Sequence, residues 1–496
     1  MQVRRLLTTS VACFAFLSLI LSACTQSNAA IEETPEPLEL ETGLYSGPQV
    51  EAEPNPFGVK WRWDLIDDIE EDVIAVAGGT SPAELQWCEV EPEPGARDYD
   101  RIDEIIASTA RIGYTPVLRI RVGTCWATGN PEHKAAADKA LPSRMPLDLG
   151  AYAAFVGEVV HRYAPQGVLA YAIESEVNLE SFWRGSAAEY DQLLRTAANS
   201  VRQASPDSRV LDSGLSSTTY GIVVASSMLQ NGQTDAAVEF YNDFYERWFA
   251  LDDFELKPVT SVGELQAQLA TGRAVRSLAF YEATIAAADA IDAFQLRYFE
   301  NWDFMKTVVG TLRVRLPMGR PIEAWAIGIA WPGDDFDEEE ARIEVAKLLS
   351  VGSGLGISLL VYQPGANPPE MLEAEEVIFR SLWRAPGNTR PAGQAFEVMV
   401  EAAAGERVAT TPVTGIGLEG VAYGHTKHTN LVIWATEAPI HLDGELPKGS
   451  SIHDLDGEEV EWPVTGLIVT SDPIVVEIPK TLSSAVKTLL DRETIR

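Results

Sequence analysis

Two glutamates, Glu174 and Glu176, stand two residues apart in the run Tyr171-Ala-Ile-Glu-Ser-Glu-Val-Asn178. On an extended strand that spacing puts both carboxyls on one face. Two neighbouring carboxylates raise one another's pKa, which prepares one of them to hold a proton near neutrality. Tryptophan supplies the second clue. Trp61, Trp63, Trp87, Trp126, Trp183, Trp302 and Trp331 fall near expected strand ends or in the loops after them. Taken singly, each is read most simply as core packing. As a set they offer flat apolar faces on which sugar rings stack, as aromatics do in ligand clefts.

Other spacings dissolve on inspection. Gly415-Ile-Gly-Leu-Glu-Gly420 fits a dinucleotide-binding pattern, but no helix follows it. His425 and His428 have metal-like spacing and no third ligand nearby. Asp454-Leu-Asp-Gly457 lacks the remaining ligands of a calcium loop and reads as a hairpin turn. There is no phosphate loop and no Gly-x-Ser-x-Gly elbow. The expectation is a protein without cofactor and without metal.

Short β-branched or apolar runs alternate with longer amphipathic ones. Strands are expected at Phe57–Lys60, Val73–Ala77, Pro116–Val122, Leu169–Ser175, Arg209–Ser213, Ala290–Tyr298, Pro321–Gly328 and Gly356–Tyr362. Helices are expected at Tyr99–Ile112, Tyr152–Tyr163, Ala187–Ala204, Glu338–Leu349 and Ala392–Ala404. Such alternation implies a parallel sheet with crossover helices, and eight units fit an α/β fold, a (β/α)8 TIM barrel. A helical insertion over Thr218–Asp289 follows the fifth strand and is expected over the C-terminal mouth, where such barrels keep their sites. After Gly405 the pattern turns to short strands at Val421–Tyr423, Asn430–Ala435, Pro439–Leu442, Gly466–Thr470 and Ile474–Ile478, with Asp-Gly turns between some of them. That is a small all-β, sandwich-like domain. The barrel is assigned to 56–404 and the β domain to 405–496.

Two stretches carry a family resemblance. Trp87-Cys-Glu-Val-Glu-Pro-Glu-Pro-Gly95, then Asp98-Tyr-Asp-Arg-Ile-Asp103 and Gly113-Tyr-Thr-Pro-Val-Leu118, resembles a passage of the clan A glycoside hydrolases, β-xylosidase-like and β-galactosidase-like barrels. Glu174-Ser-Glu-Val-Asn178, followed by Phe182-Trp183, Gly185 and Glu189-Tyr190, is similar to that family's fourth strand, which ends in Asn-Glu-Pro-Asn. Gly387-Asn-Thr-Arg-Pro-Ala392 and Ile452-His-Asp-Leu-Asp-Gly457 also resemble it. The likeness runs from Phe57 to Pro479.

The resemblance implies two carboxylates flanking a glycosidic bond, one a proton donor and the other a nucleophile or base. Glu176 matches the acid/base. On the seventh strand, Pro321-Ile-Glu-Ala-Trp-Ala-Ile-Gly328, the nucleophile's place holds Ala326. Glu323 is three residues away, so strand alternation turns it toward the outer helices. The family asparagine before the acid is Ser175, its sixth-strand histidine is Arg297, and no arginine follows the second strand; Tyr298 is kept. A relocated second carboxylate would come from Glu174, Glu300, Glu323 or Asp334. The resemblance and the aromatics together nominate Trp87, Trp126, Asn178, Trp183, Tyr298, Trp302 and Trp331 as sugar contacts. Two functions stay open. One is a glycoside hydrolase acting on an oligo- or polysaccharide through Glu176; the other is a silent barrel that binds glycans.

The leader sets the compartment. Arg4-Arg5, an apolar stretch from Val11 to Leu21, and Leu21-Ser-Ala-Cys24 resemble a secretory signal ending in a bacterial lipobox, which implies cleavage after residue 23 and a lipid on Cys24. Residues 24–55 are acidic and proline-rich and read as an extended tether. In an oxidising compartment Cys88 and Cys125 are left as a disulfide pair. The formal charge of −35, from 73 acidic and 38 basic residues, excludes nucleic acid as a partner and docking on anionic lipid headgroups. The expected partners are carbohydrate and, through the lipid alone, the membrane.

Overall fold

The strands are short, and most are buried on both faces, so they read as apolar runs. Eight of them form one parallel sheet: β1 Phe57–Val59, β2 Thr80–Gln86, β3 Thr115–Arg121, β4 Ala170–Ile173, β5 Arg209–Leu211, β6 Phe294–Tyr298, β7 Ile322–Ile327 and β8 Leu359–Tyr362. Their order is β5-β4-β3-β2-β1-β8-β7-β6. A bridge between Leu211 and Ala293, with the Asp292 N–H donating to the Val210 carbonyl at 2.7 Å, joins β5 to β6 and closes the barrel. This computed structural model describes residues 55–61, 79–129, 141–252, 254–331, 336–367, 379–384, 388–463 and 465–494. Cys24, Trp63, Asp334, the expected strand at 73–77 and the tether up to residue 54 lie outside the described residues. The second strand is Thr80–Gln86, later than the sequence reading placed it.

Local sequence fixes the helix starts. Asp148 accepts from the Gly150 and Ala151 N–H groups to open Leu149–Tyr163. Ser186 and Glu189 form a capping box at Ala187–Ala204, and Asp337 caps Glu338–Gly354. The insertion after β5 is helical, at Thr219–Gln230, Thr234–Tyr245, Val262–Leu269 and Gly272–Ala286.

Inside the barrel, Val117, Ala170, Ala172, Leu211, Ala293, Trp325, Leu359 and Val361 form an apolar floor. Glu323 sits in this layer. Its Cα partners are Gln295 on β6 and Leu359 on β8, and it is fully buried. The expectation that it faces the outer helices is corrected. β7 carries one extra residue between Ala324 and Ile327, so Gln295 pairs with Glu323 but Arg297 pairs with Ala326. A bulge of this kind resets the alternation, and both positions face inward. Glu323 accepts from the Trp325 indole at 2.9 Å and pairs with Arg209.

The C-terminal part has a five-stranded antiparallel sheet, Arg407–Thr414, Leu418–His425, Thr429–Ala435, Ile474–Ile478 and Ser451–His453 in that order. A three-stranded sheet joins Leu467–Val469, Ile440–Leu442 and Glu493–Thr494. Alternation in Thr429–Ala435 sends Val432 and Trp434 to the core shared with the barrel, and Leu431 and Ile433 to a second core. The helix Leu482–Leu490 closes that second core through Ala485 and Leu489. It was not expected from sequence. None of the described helices is long and apolar enough to cross a membrane.

Cys88, just after β2, is bonded to Cys125, four residues beyond β3, with Cα atoms 5.5 Å apart. The bridge spans a sequence separation of 37, so it should stabilise the fold by roughly 3–4 kcal/mol by limiting the unfolded chain. The double variant Cys88→Ala/Cys125→Ala should lose that amount in urea unfolding. A loss under about 1 kcal/mol would mean that packing alone holds these loops.

Candidate active site

β4 ends at Ile173, and the next three residues leave strand geometry. Glu174 and Glu176 both have positive φ, 66° and 42°, a conformation that costs a residue with a side chain of order 1–3 kcal/mol. The turn is held by backbone bonds: Glu174 N–H donates to Ile120 and Glu176 N–H to Gly214. Alternation therefore fails here, and the two carboxyls separate. Glu174 is fully buried, accepts from the Val122 N–H at 2.7 Å and lies 3.6 Å from Arg121 Nε. Its pKa is raised by burial, with Arg121 pulling it back and Glu84 adding to the rise. Glu176 lies at the mouth, its side chain 14% exposed, with one carboxylate oxygen 3.3 Å from Arg297 Nε. The expected carboxylate pair on one strand face is thus corrected.

The mouth that holds Glu176 also gathers a set of cations that local sequence spacing does not bring together. Arg119 and Arg121 come from β3, Arg297 from β6, and half-buried Lys60 follows β1. Arg119 donates to Gln295 at 2.6 Å and to Ser175 Oγ at 3.3 Å; Arg297 donates to the same hydroxyl at 2.8 Å. Arg121 donates to Glu84 on β2 at 3.0 Å. Burial would raise the Glu84 pKa, but Arg121, Lys60 and Arg119 overcome it and bring it down to about 2. Burial lowers Lys60 to about 8, with Glu84 opposing and the three guanidiniums assisting. The same forces bring Arg119 to about 10. Arg119-Ile-Arg121 was visible as charges two apart within an expected strand. Glu84 gives no such signal, because Thr80–Gln86 lacks the apolar run of a buried strand.

On the β6–β7 side the mouth is apolar. Ala326 is fully buried in a cluster with Phe299 and Ala330, against which Trp248 of the insertion packs. The Trp248 indole donates to Glu300 at 2.6 Å. Glu323 is on the floor, and Asp334 is not among the described residues. Each nominated substitute that is described has its own structural partner.

The nominated sugar contacts divide. Trp87 stacks on Phe155 and donates to Glu91; Trp183 is fully buried against Tyr190. Tyr298 is buried and donates to the Asn301 carbonyl. Asn178 bonds Ser216 and Thr219, tying the β4 loop to the insertion. These four are buried and held by core partners. Trp126, Trp302 and Trp331 keep partial exposure. Trp302 meets Trp434 and Lys347 at the joint with the β domain, and Arg247 lies over the Trp331 ring.

Burial lifts Glu300 to about 7, against the pull of the Trp248 hydrogen bond and Arg247. A carboxyl raised in this way contributes stability that is fully present below its unfolded pKa and is lost as pH rises through about 7. The wild type should therefore lose roughly 3 kcal/mol between pH 4.5 and 8 on this account. Glu300→Gln should lack that loss. Urea unfolding of both proteins at pH 5 and 8 reads the difference, and parallel pH profiles contradict it.

No protein-family model and no curated protein sequence matches the chain. Solved structures do. One is a family 39 glycoside hydrolase from the gut symbiont Bacteroides cellulosilyticus WH2, at TM-score 0.58 and 14% identity, covering 87% of this chain and 83% of that one. A family 39 β-xylosidase from Caulobacter crescentus gives 0.54 and 14%, covering 88% and 98%. A family 30 endoxylanase from Clostridium papyrosolvens C71 gives 0.50 and 10%, covering 88% and 98%. This chain therefore has the fold of the clan A glycoside hydrolases, a (β/α)8 barrel continued by a β domain.

Proposed function

We propose that this protein recognises carbohydrate at the cell exterior and does not cleave glycosides by double displacement. One observation carries the reading. The inward-facing position on β7, in register with Arg297, is Ala326, fully buried with Phe299, Ala330 and Trp248. A glycosyl-enzyme ester needs a carboxylate there, with room for a sugar. The strained turn at 174–176 supports a site at this mouth, because backbone strain gathers where function over-determines geometry.

The competing reading is hydrolysis by Glu176 with a displaced second carboxylate. It leans on Glu84, which reaches the mouth from β2 with 29% of its side chain exposed. A carboxylate held near 2 is a weak base for activating water at neutral pH. A mechanism-based fluoro-glycoside series should leave the protein unlabelled, and aryl-glycosides should not turn over. A stable adduct on a β7 carboxylate, or turnover abolished by Glu176→Gln, would falsify the silent reading and restore the hydrolase.

The same proposal includes export and a lipid anchor on Cys24, supported by the Leu-Ser-Ala-Cys string and the acidic tether after it. Cys24→Ser should move the protein out of the membrane fraction or leave it unprocessed. Wild-type protein with an unacylated N-terminus, partitioning like the variant, removes the anchor.

A further inference from the structure

The protein is strongly acidic, yet its barrel mouth collects Lys60, Arg119, Arg121 and Arg297. Three carboxylates face them: Glu84, Glu174 and Glu176. Asp212, lower in the barrel, accepts from the Gln295 and Gly214 N–H groups. The pairing is uneven. Arg121 has Glu84 and Glu174, and Arg297 has Glu176. Arg119 has no carboxylate to itself and shares Glu84 with Arg121. Its hydrogen bonds go to neutral acceptors, Gln295 and Ser175, its nearest carboxylate is 3.8 Å away on Glu84, and its Nε has no hydrogen-bond partner. A buried guanidinium that shares its counter-charge and keeps an N–H unsatisfied is the group an arriving anion pairs with.

Glu84 shows what the cluster selects. It is a carboxylate approached by Lys60, Arg119 and Arg121 together, and it is held ionised by them. Guanidinium groups present planar forks that match a carboxylate. Lys60 adds a point charge and is half-buried where the three arginines are buried, so it is the most accessible of the four cations.

We propose that the barrel mouth binds a glycan through a carboxylate on the sugar, a uronate, with Lys60, Arg119 and Arg297 as its anion-recognising groups. This rests on the carbohydrate reading above and names its substrate class. The acidic surface does not oppose it at close range, because exposed charges are screened beyond about a Debye length of 8–10 Å. The cluster confers selectivity on a protein whose net charge would otherwise repel acidic glycans.

The test titrates the full chain with oligoglucuronates and oligogalacturonates, and with the same oligosaccharides after carboxyl reduction. The acidic forms should bind about tenfold or more tighter than their neutral counterparts. That margin should shrink as salt rises. Lys60→Met should remove most of it, and Lys60→Arg should keep it, so a folded control accompanies the loss. Equal affinity for acidic and reduced forms overturns the uronate proposal and leaves the carbohydrate reading standing. Tighter binding of sulfated than of carboxylated sugars overturns the choice of anion. Binding of none of them, acidic or neutral, overturns both readings.

Discussion

An arginine placed inside a barrel must be answered by acceptors, because its charge cannot be removed by losing a proton. That constraint organises the mouth of this protein. Arg119, Arg121 and Arg297 are all buried, and the side chains that approach them come from three segments: Glu84 from β2, Glu174, Ser175 and Glu176 after β4, and Gln295 from β6. Removing one member leaves an uncompensated charge, which costs more than the pair itself contributes. The positive φ values at Glu174 and Glu176 follow from the same requirement. Only by leaving strand geometry can consecutive residues send Glu174 toward Arg121 and Ser175 between Arg119 and Arg297.

The opposite wall obeys a different rule. β7 has one more residue than its neighbours use, and the bulge places Glu323 on the floor and Ala326 at the mouth. The insertion then lowers Trp248 onto Ala326, Phe299 and Ala330. A half-charged, half-apolar mouth suits a ligand with an anionic group and a hydrocarbon face, which is the description of an acidic sugar.

Much of the fold was legible because its outward-facing strand residues pack against helices and are apolar. Ala187–Ala204 and Ile474–Ile478 match their expected ranges, and seven of the eight barrel strands fall where the pattern placed them. β2 did not, and the reason is local. Thr80-Ser-Pro-Ala-Glu-Leu-Gln86 carries a proline and an inward charge, so it lacks an apolar run, and Val73–Ala77 looked better. The site was legible as positions and not as partners. Glu176 and Arg297 were both noted, but their ion pair joins residues 121 apart in sequence, beyond any local periodicity. Strand-end tryptophans are ambiguous for a related reason. An indole such as Trp87 or Trp183 after a strand is as readily drawn into the packing between helix and loop as into a ligand cleft.

The two walls bear on one another through Arg297. In the family arrangement that the sequence resembles, a carboxylate would stand at position 326, in register with this arginine. Here that place is a methyl group, and Arg297 turns to Glu176 and Ser175. A proton donor in glycoside cleavage needs a pKa lifted toward neutrality, by burial or by a neighbouring carboxylate. At Glu176 the neighbour is a guanidinium, at 3.3 Å, in place of a carboxylate. The absent carboxylate and the paired glutamate are therefore two consequences of one electrostatic arrangement. The cations gathered beside Glu176 suit the mouth to an anionic ligand.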